Sequence, residues 1–237
     1  MDKRQTSWGG QLHLIHLEIG LDFAEEFRSY SISQQLHKAL TGKLSDAEEL
    51  VEPGVIFRSP KKRQLVGWGT DSCRVVMESV TNPDECFGKM VALLETINKV
   101  APIGRLSKRE LVTHWILPTE GHDFKSLELK YRGVFIAQQP IWENVFDSSV
   151  IMDIKVRDLI LHHQSGAMGT RQLKQDYAVF RLESIPRVFL FLWVTAESDK
   201  VVEYSGQDIN RFLTTSFEHC KHHGELFEEN WRANDDH

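Results

Sequence analysis

Between Pro53 and Val100 three short apolar runs lead into one long stretch whose apolar residues recur every three or four positions. The runs are Val55–Phe57, turned by Ser59-Pro60-Lys61-Lys62, then Gln64–Trp68, turned by Gly69-Thr70-Asp71-Ser72, then Cys73–Val80. Short apolar segments between turn residues predict strands. The long stretch opens on Asn82, with Pro83 and Glu85 behind it. That order supplies a capping oxygen for the unpaired amides, a proline where no donor is lost, and an acidic first turn. Cys86, Met90, Leu93, Leu94 and Ile97 then make the core-facing stripe of a helix.

The same patterning predicts the flanking elements. Gln11 to Leu21 reads as a strand, with Ile15, Leu17, Ile19 and Leu21 on one face and His16 and Glu18 on the other. A helix after Ser31 or Ser33 carries Leu36, Ala39 and Leu40 and stops at Gly42, and a polar, acidic connection runs from Thr41 to Glu52. Pro102 and Gly104 close this half. Beyond them, Lys108–Leu117 reads as a strand, Phe124–Tyr131 as a short helix, and Gly133–Asp147 as an irregular, partly buried segment. Val150–Arg157 alternates as a half-buried strand continuing towards His162, Gln164–Thr170 reads as a loop, and Arg171–Glu183 as the next strand. Val188–Val194 is apolar on both faces, which predicts a central strand. The final helix, Gln207–Arg232, carries Ile209, Phe212, Leu213, Cys220, Phe227 and Trp231 on one stripe.

Ser149–Trp231 therefore echoes Pro53–Val100 in element order. The expected fold is α+β, with two pseudo-repeated strand-helix-strand-strand-strand-helix lobes over residues 1–103 and 104–237. The sheets should be mainly antiparallel, with the helices packed on one face.

Composition narrows the class. With 41% hydrophobic and 26% charged residues in 237, the chain can bury a sizeable core. No apolar run reaches the roughly 20 residues of a membrane span, and the polar start Met1–Thr6 has no apolar signal region, so a cytoplasmic protein is expected. Cys73, Cys86 and Cys220 are too few and too scattered for a disulfide framework, which suits a reducing compartment. A net charge of -6 argues against nonspecific binding to nucleic acid or anionic membrane.

The sharpest chemical candidate is His219-Cys220-Lys221-His222-His223. On a helix His219 and His223 point the same way, and two imidazoles suit a divalent metal such as zinc, nickel or copper. No His-Glu-x-x-His arrangement accompanies them, and a third ligand would have to come from elsewhere. His162 and His163 end a strand before a Gly-rich loop, where side chains often reach a ligand. With His114 they are the ligand-binding candidates. The loop Ser165–Thr170 lacks the Lys-Ser or Lys-Thr of a P-loop and reads as a hairpin connection. No Gly-x-Ser-x-Gly elbow is present, and the cysteines fall in core-like positions. Arg58–Arg63, with Trp68 on the next strand, could contact phosphate and stack a base, but a charged turn that blunts a sheet edge is the preferred account.

The charged hairpin Arg58-Ser59-Pro60-Lys61-Lys62-Arg63 before an apolar strand, and a closing helix with Phe217 and Phe227, resemble a sporadically distributed prokaryotic family of unknown function. The resemblance implies the duplicated α+β architecture and lends no chemistry. Two functions of different class follow. One is a non-catalytic ligand-binding or protein-interaction module, with no cofactor and with a protein partner or self-association. The other is a metal-dependent enzyme whose pocket is lined by histidines from the second half.

Overall fold

Residues 11–24, 30–41, 43–44, 47–51, 54–119, 121–136, 147–176 and 187–234 are described by the computed structural model. Strand β1 (His13–Phe23) leads into helix α1 (Tyr30–Leu40), four strands β2 (Ala47–Val51), β3 (Gly54–Ser59), β4 (Gln64–Trp68) and β5 (Ser72–Glu78), and helix α2 (Pro83–Val100). The second half runs β6 (Arg105–Pro118), α3 (Phe124–Phe135), β7 (Ser149–Val156), β8 (Leu159–Gly169), α4 (Thr170–Asp176), β9 (Val188–Ser198), β10 (Val202–Glu203) and α5 (Gly206–Ala233). All ten strands belong to one sheet, ordered β2-β3-β4-β5-β1-β6-β9-β8-β7, with β10 beside β6. Every strand pair is antiparallel. β1 and β6 join the two halves in register from His13↔Ile116 to Phe23↔Leu106.

Side-chain alternation sorts this sheet into two faces. Leu17, Ile19 and Leu21 of β1, Leu111 and Trp115 of β6, and Leu190, Leu192 and Val194 of β9 are buried with α1, α2, α3 and α5 in the main core. α2 packs on β5, α5 on β6 and β9, and the two helices on each other. Phe87 of α2 meets Phe217 of α5 edge-on at 5.4 Å. The start of α2 is fixed as the sequence predicts, with Asn82 accepting from the Glu85 amide at 3.3 Å; at the start of α5, Ser205 Oγ accepts from the Asp208 amide at 3.1 Å.

The helices do not all share a face. Leu173 of α4 is buried with Ile15, Ile116, Met168, Phe189 and Phe191 on the opposite side. β9 is therefore covered twice, which is what its unbroken apolar run requires.

The second half departs from the expected boundaries. Gln164–Gly169 is strand and not loop, because β8 runs on to Gly169, pairing with β7 and β9. Gly166 is there for space: a Cβ would stand 2.9 Å from Phe191 Cε1 and from the Ser148 carbonyl. The hairpin turn falls earlier, at Arg157-Asp158, with Arg157 in the left-handed region at φ 55°. Residues 171–176, expected within a strand, belong to α4, which starts at Thr170, and 47–51, expected within a connection, form the edge strand β2. The irregular segment expected over 133–147 lies largely outside the described residues, as do residues 177–186, Gly42, Trp8 and Trp142. No described helix is long and apolar enough to cross a membrane.

Candidate functional site

On β8 the odd-numbered residues face the helices, so His163 and Ser165 arrive beside Leu161 and Ala167 under α3 and α5. α3 brings Tyr131, fully buried, and α5 brings His223. His163 Nδ1 lies 2.7 Å from His223 Nε2, and His163 Nε2 lies 2.7 Å from Ser165 Oγ. Tyr131 Oη is 2.9 Å from Ser165 Oγ and also donates to the Ser165 carbonyl at 2.9 Å. One arrangement of protons satisfies every one of these contacts. His223 Nε2–H donates to His163 Nδ1, His163 Nε2–H to Ser165 Oγ, and Ser165 Oγ–H to Tyr131 Oη. Both imidazoles are then neutral. Burial first, and His223 second, lower the His163 pKa to about 4, and burial, then His222, lowers that of His223. Serine beside imidazole is the pairing of a nucleophile and its base. Here Ser165 is 1% exposed and its proton is committed to Tyr131, so no substrate reaches it from either cavity described below.

The other candidate histidines go elsewhere. His114 lies on the far face of the sheet, stacked on His16 at 4.6 Å and tilted against Trp193 at 4.8 Å. His162, also on that face, approaches Asp153 at 2.7 Å and Glu197 at 3.4 Å. His219, one turn before His223, lines a separate cavity. The structure thus joins His163 with His223 and leaves His114, His162 and His219 apart. Among the described residues no group of three or more His, Cys, Asp or Glu side chains is placed to hold a metal ion. Trp68, which the less favoured nucleic-acid reading would have stacking a base, is 3% exposed and packs on Phe23 at 5.1 Å.

Among the described residues, two cavities lie beside α5. The first, about 690 Å³, has Phe87, Trp115 and Phe217 as its floor and a largely acidic rim that includes Asp84, Glu218 and Glu228. The second, about 430 Å³, opens between α5, the β7–β8 turn and the ends of β6 and β9. Its floor is unusual. Arg109 occupies a helix-facing position of β6, in phase with Leu111, Thr113 and Trp115, and is 9% exposed. Its guanidinium lies 4.9 Å from the centre of the Phe212 ring, and Nη2 reaches Ser198 Oγ at 3.4 Å. Arg109 Nε and the fully buried Ser216 Oγ, both in this lining, make no hydrogen bond. Burial pulls the Arg109 pKa down and the Asp208 carboxylate pushes it back, while a guanidinium stays charged throughout the physiological range.

Arg157, Lys200 and Arg211 stand exposed at the mouth, with Asp158 and Asp208. Four basic side chains against two carboxylates leave a formal excess of two positive charges, in a protein whose net charge is -6. Val156, Leu159, Val202 and Phe212 supply an apolar wall. Sequence reasoning passed over this site. The one available signal was parity: Arg109 carries a charge at a position in step with the buried Leu111 and Trp115.

No protein-family model matches the chain, and no curated protein matches it significantly.

Proposed function

We propose that this protein is a non-catalytic ligand-binding module and that the cavity floored by Arg109 is its site. The observation that carries the reading is the guanidinium itself. A buried donor left unpaired costs about 1–3 kcal/mol, more when charged, unless something satisfies it. Arg109 Nε and Ser216 Oγ are two such buried groups within the wall of one cavity. Nothing comparable marks the buried histidine chain, where both ring nitrogens of His163, the Ser165 hydroxyl and the Tyr131 hydroxyl all find partners. A small-molecule library screened by thermal shift tests the proposal. The expected result is a set of compounds that stabilise the protein and lose their effect in Thr215→Trp, which blocks the exposed mouth. A screen whose hits act equally on Thr215→Trp would remove the site.

The alternative, a metal-dependent enzyme, draws support only from the His163–His223 pair, two ring nitrogens 2.7 Å apart. Stoichiometric zinc or nickel in untagged protein, absent from His223→Ala, would favour it. We further read the fold as a duplication. Outward from the β1–β6 seam stand β5, β4, β3 on one side and β9, β8, β7 on the other, and α1 follows β1 as α3 follows β6. A backbone superposition of residues 13–100 on 105–233 that fails to align these strands would end that reading. A cytoplasmic setting accords with Cys73, Cys86 and Cys220, all free thiols. Their persistence as thiols in protein isolated from cells with free thiols trapped is the check.

A further inference from the structure

We propose that the Arg109 cavity takes a small organic anion, a phosphate or carboxylate head carrying an apolar or aromatic body. The inference rests on the reading of that cavity as the ligand site and adds the class of ligand. Charge comes first. A guanidinium shut away from water attracts an oxyanion far more strongly than an exposed one does, because little solvent screens it. Arg109 lines the cavity with Nε buried and unpartnered and Nη2 held only by a long contact to Ser198, so its cation meets no close counter-charge there and is poorly compensated.

The rim then selects sign. Arg157, Lys200 and Arg211 outnumber Asp158 and Asp208, and Asp208 is drawn towards Arg211 at 3.9 Å. An approaching anion therefore meets a local positive field within a protein that is negative as a whole.

The wall selects the body. Phe212 lies under the guanidinium, and Val156, Leu159 and Val202 complete an apolar side that a bare inorganic ion would leave empty. The volume of about 430 Å³ falls among small-molecule sites and is far too small for a folded partner.

Calorimetric titration of the full chain with phenyl phosphate, benzoate, inorganic phosphate and benzyl alcohol tests this. At least one of the two aromatic anions should bind about tenfold or more tightly than both benzyl alcohol and inorganic phosphate, as a charge-assisted pair predicts. Whether phenyl phosphate or benzoate binds better identifies the head group. Arg109→Met should weaken that anion about tenfold or more. Because a buried substitution can disturb folding, Lys200→Gln with Arg211→Gln on the exposed rim is the second variant, expected to weaken the anion severalfold and flatten its salt dependence. Anion binding unchanged in both variants would overturn the inference. If benzyl alcohol binds, is blocked by Thr215→Trp, and neither aromatic anion binds, the anion assignment fails while the ligand site stands. If no compound of either kind binds, both fall.

Discussion

His163 and His223 share a hydrogen bond that exists only while at least one imidazole is neutral, so acid should act on the fold through them. The folded-state pKa of His163, about 4, lies below the ordinary value of 6.5. The unfolded chain therefore takes up the proton first. Stability is fully present above pH 6.5 and is lost as pH falls through that value towards 4, by about 3 kcal/mol for a shift of this size. His223, also lowered, adds in the same direction. The carboxyls of Glu78 and Glu128, raised by burial, act with the opposite sign and are common to wild type and variant. Urea unfolding of wild type and His163→Phe at pH 7.5, 6.0 and 4.5 should show the wild type losing more stability than the variant. Parallel losses would sink the assignment.

Gly54 sets a different constraint, since a Cβ there would lie 2.2 Å from the Trp68 carbonyl oxygen and 3.2 Å from Gly69 Cα. Neither is a flexible side-chain end. Gly54→Ala is expected to cost about 1–3 kcal/mol, read from thermal unfolding. Individual residues were legible in sequence where one neighbour decided them, as Asn82 shows. Arg109 was not, because its environment comes from Ser198, Phe212 and Ser216, all far along the chain.

At the scale of elements, the capped helices are the clearest case of local encoding. Asn82→Ala should destabilise by about 1 kcal/mol, while Asn82→Asp, which keeps an accepting oxygen, should lose little. Matching losses for both would show that the cap oxygen is not what holds the start of α2. Elements whose turn residues do two jobs were misread. Gly166 and Gly169 suggest a loop to any local reading, but Gly166 makes room for Phe191 within a strand. The true turn at Arg157-Asp158 offers one turn former, Asp158, against the two glycines of 164–169, so composition points to the wrong place. Among the described side chains of α4 the buried anchor is Leu173, and seven residues give no period to recognise. β2 reads as an acidic connection because an edge strand needs only one hydrogen-bonded neighbour, and β3 provides it.

For the whole molecule, the seam between β1 and β6 and the contact of α2 with α5 tie the two halves into one structure. Unfolding should be a single transition, with tryptophan fluorescence and far-ultraviolet dichroism changing together, since Trp68 reports the first half and Trp115, Trp193 and Trp231 the second. Two separated transitions would show that the halves are energetically independent despite the shared sheet. The continuity of that sheet was not legible, because alternation along β1 and β6 says which face is apolar and nothing of which strand lies alongside.

β1 itself changes step at Ile15, where the pairing with β6 slips between Leu14 and His16. Before that point the even-numbered Leu12 and Leu14 lean on the helix-side core; after it the odd-numbered Leu17, Ile19 and Leu21 do. One surplus residue thus inverts the phase of the strand. Deleting Ile15 would therefore leave Leu12 and Leu14 in plain alternation with Leu17, still turned to the helices, and would take away only the side chain that Ile15 gives to the smaller cluster on the opposite face.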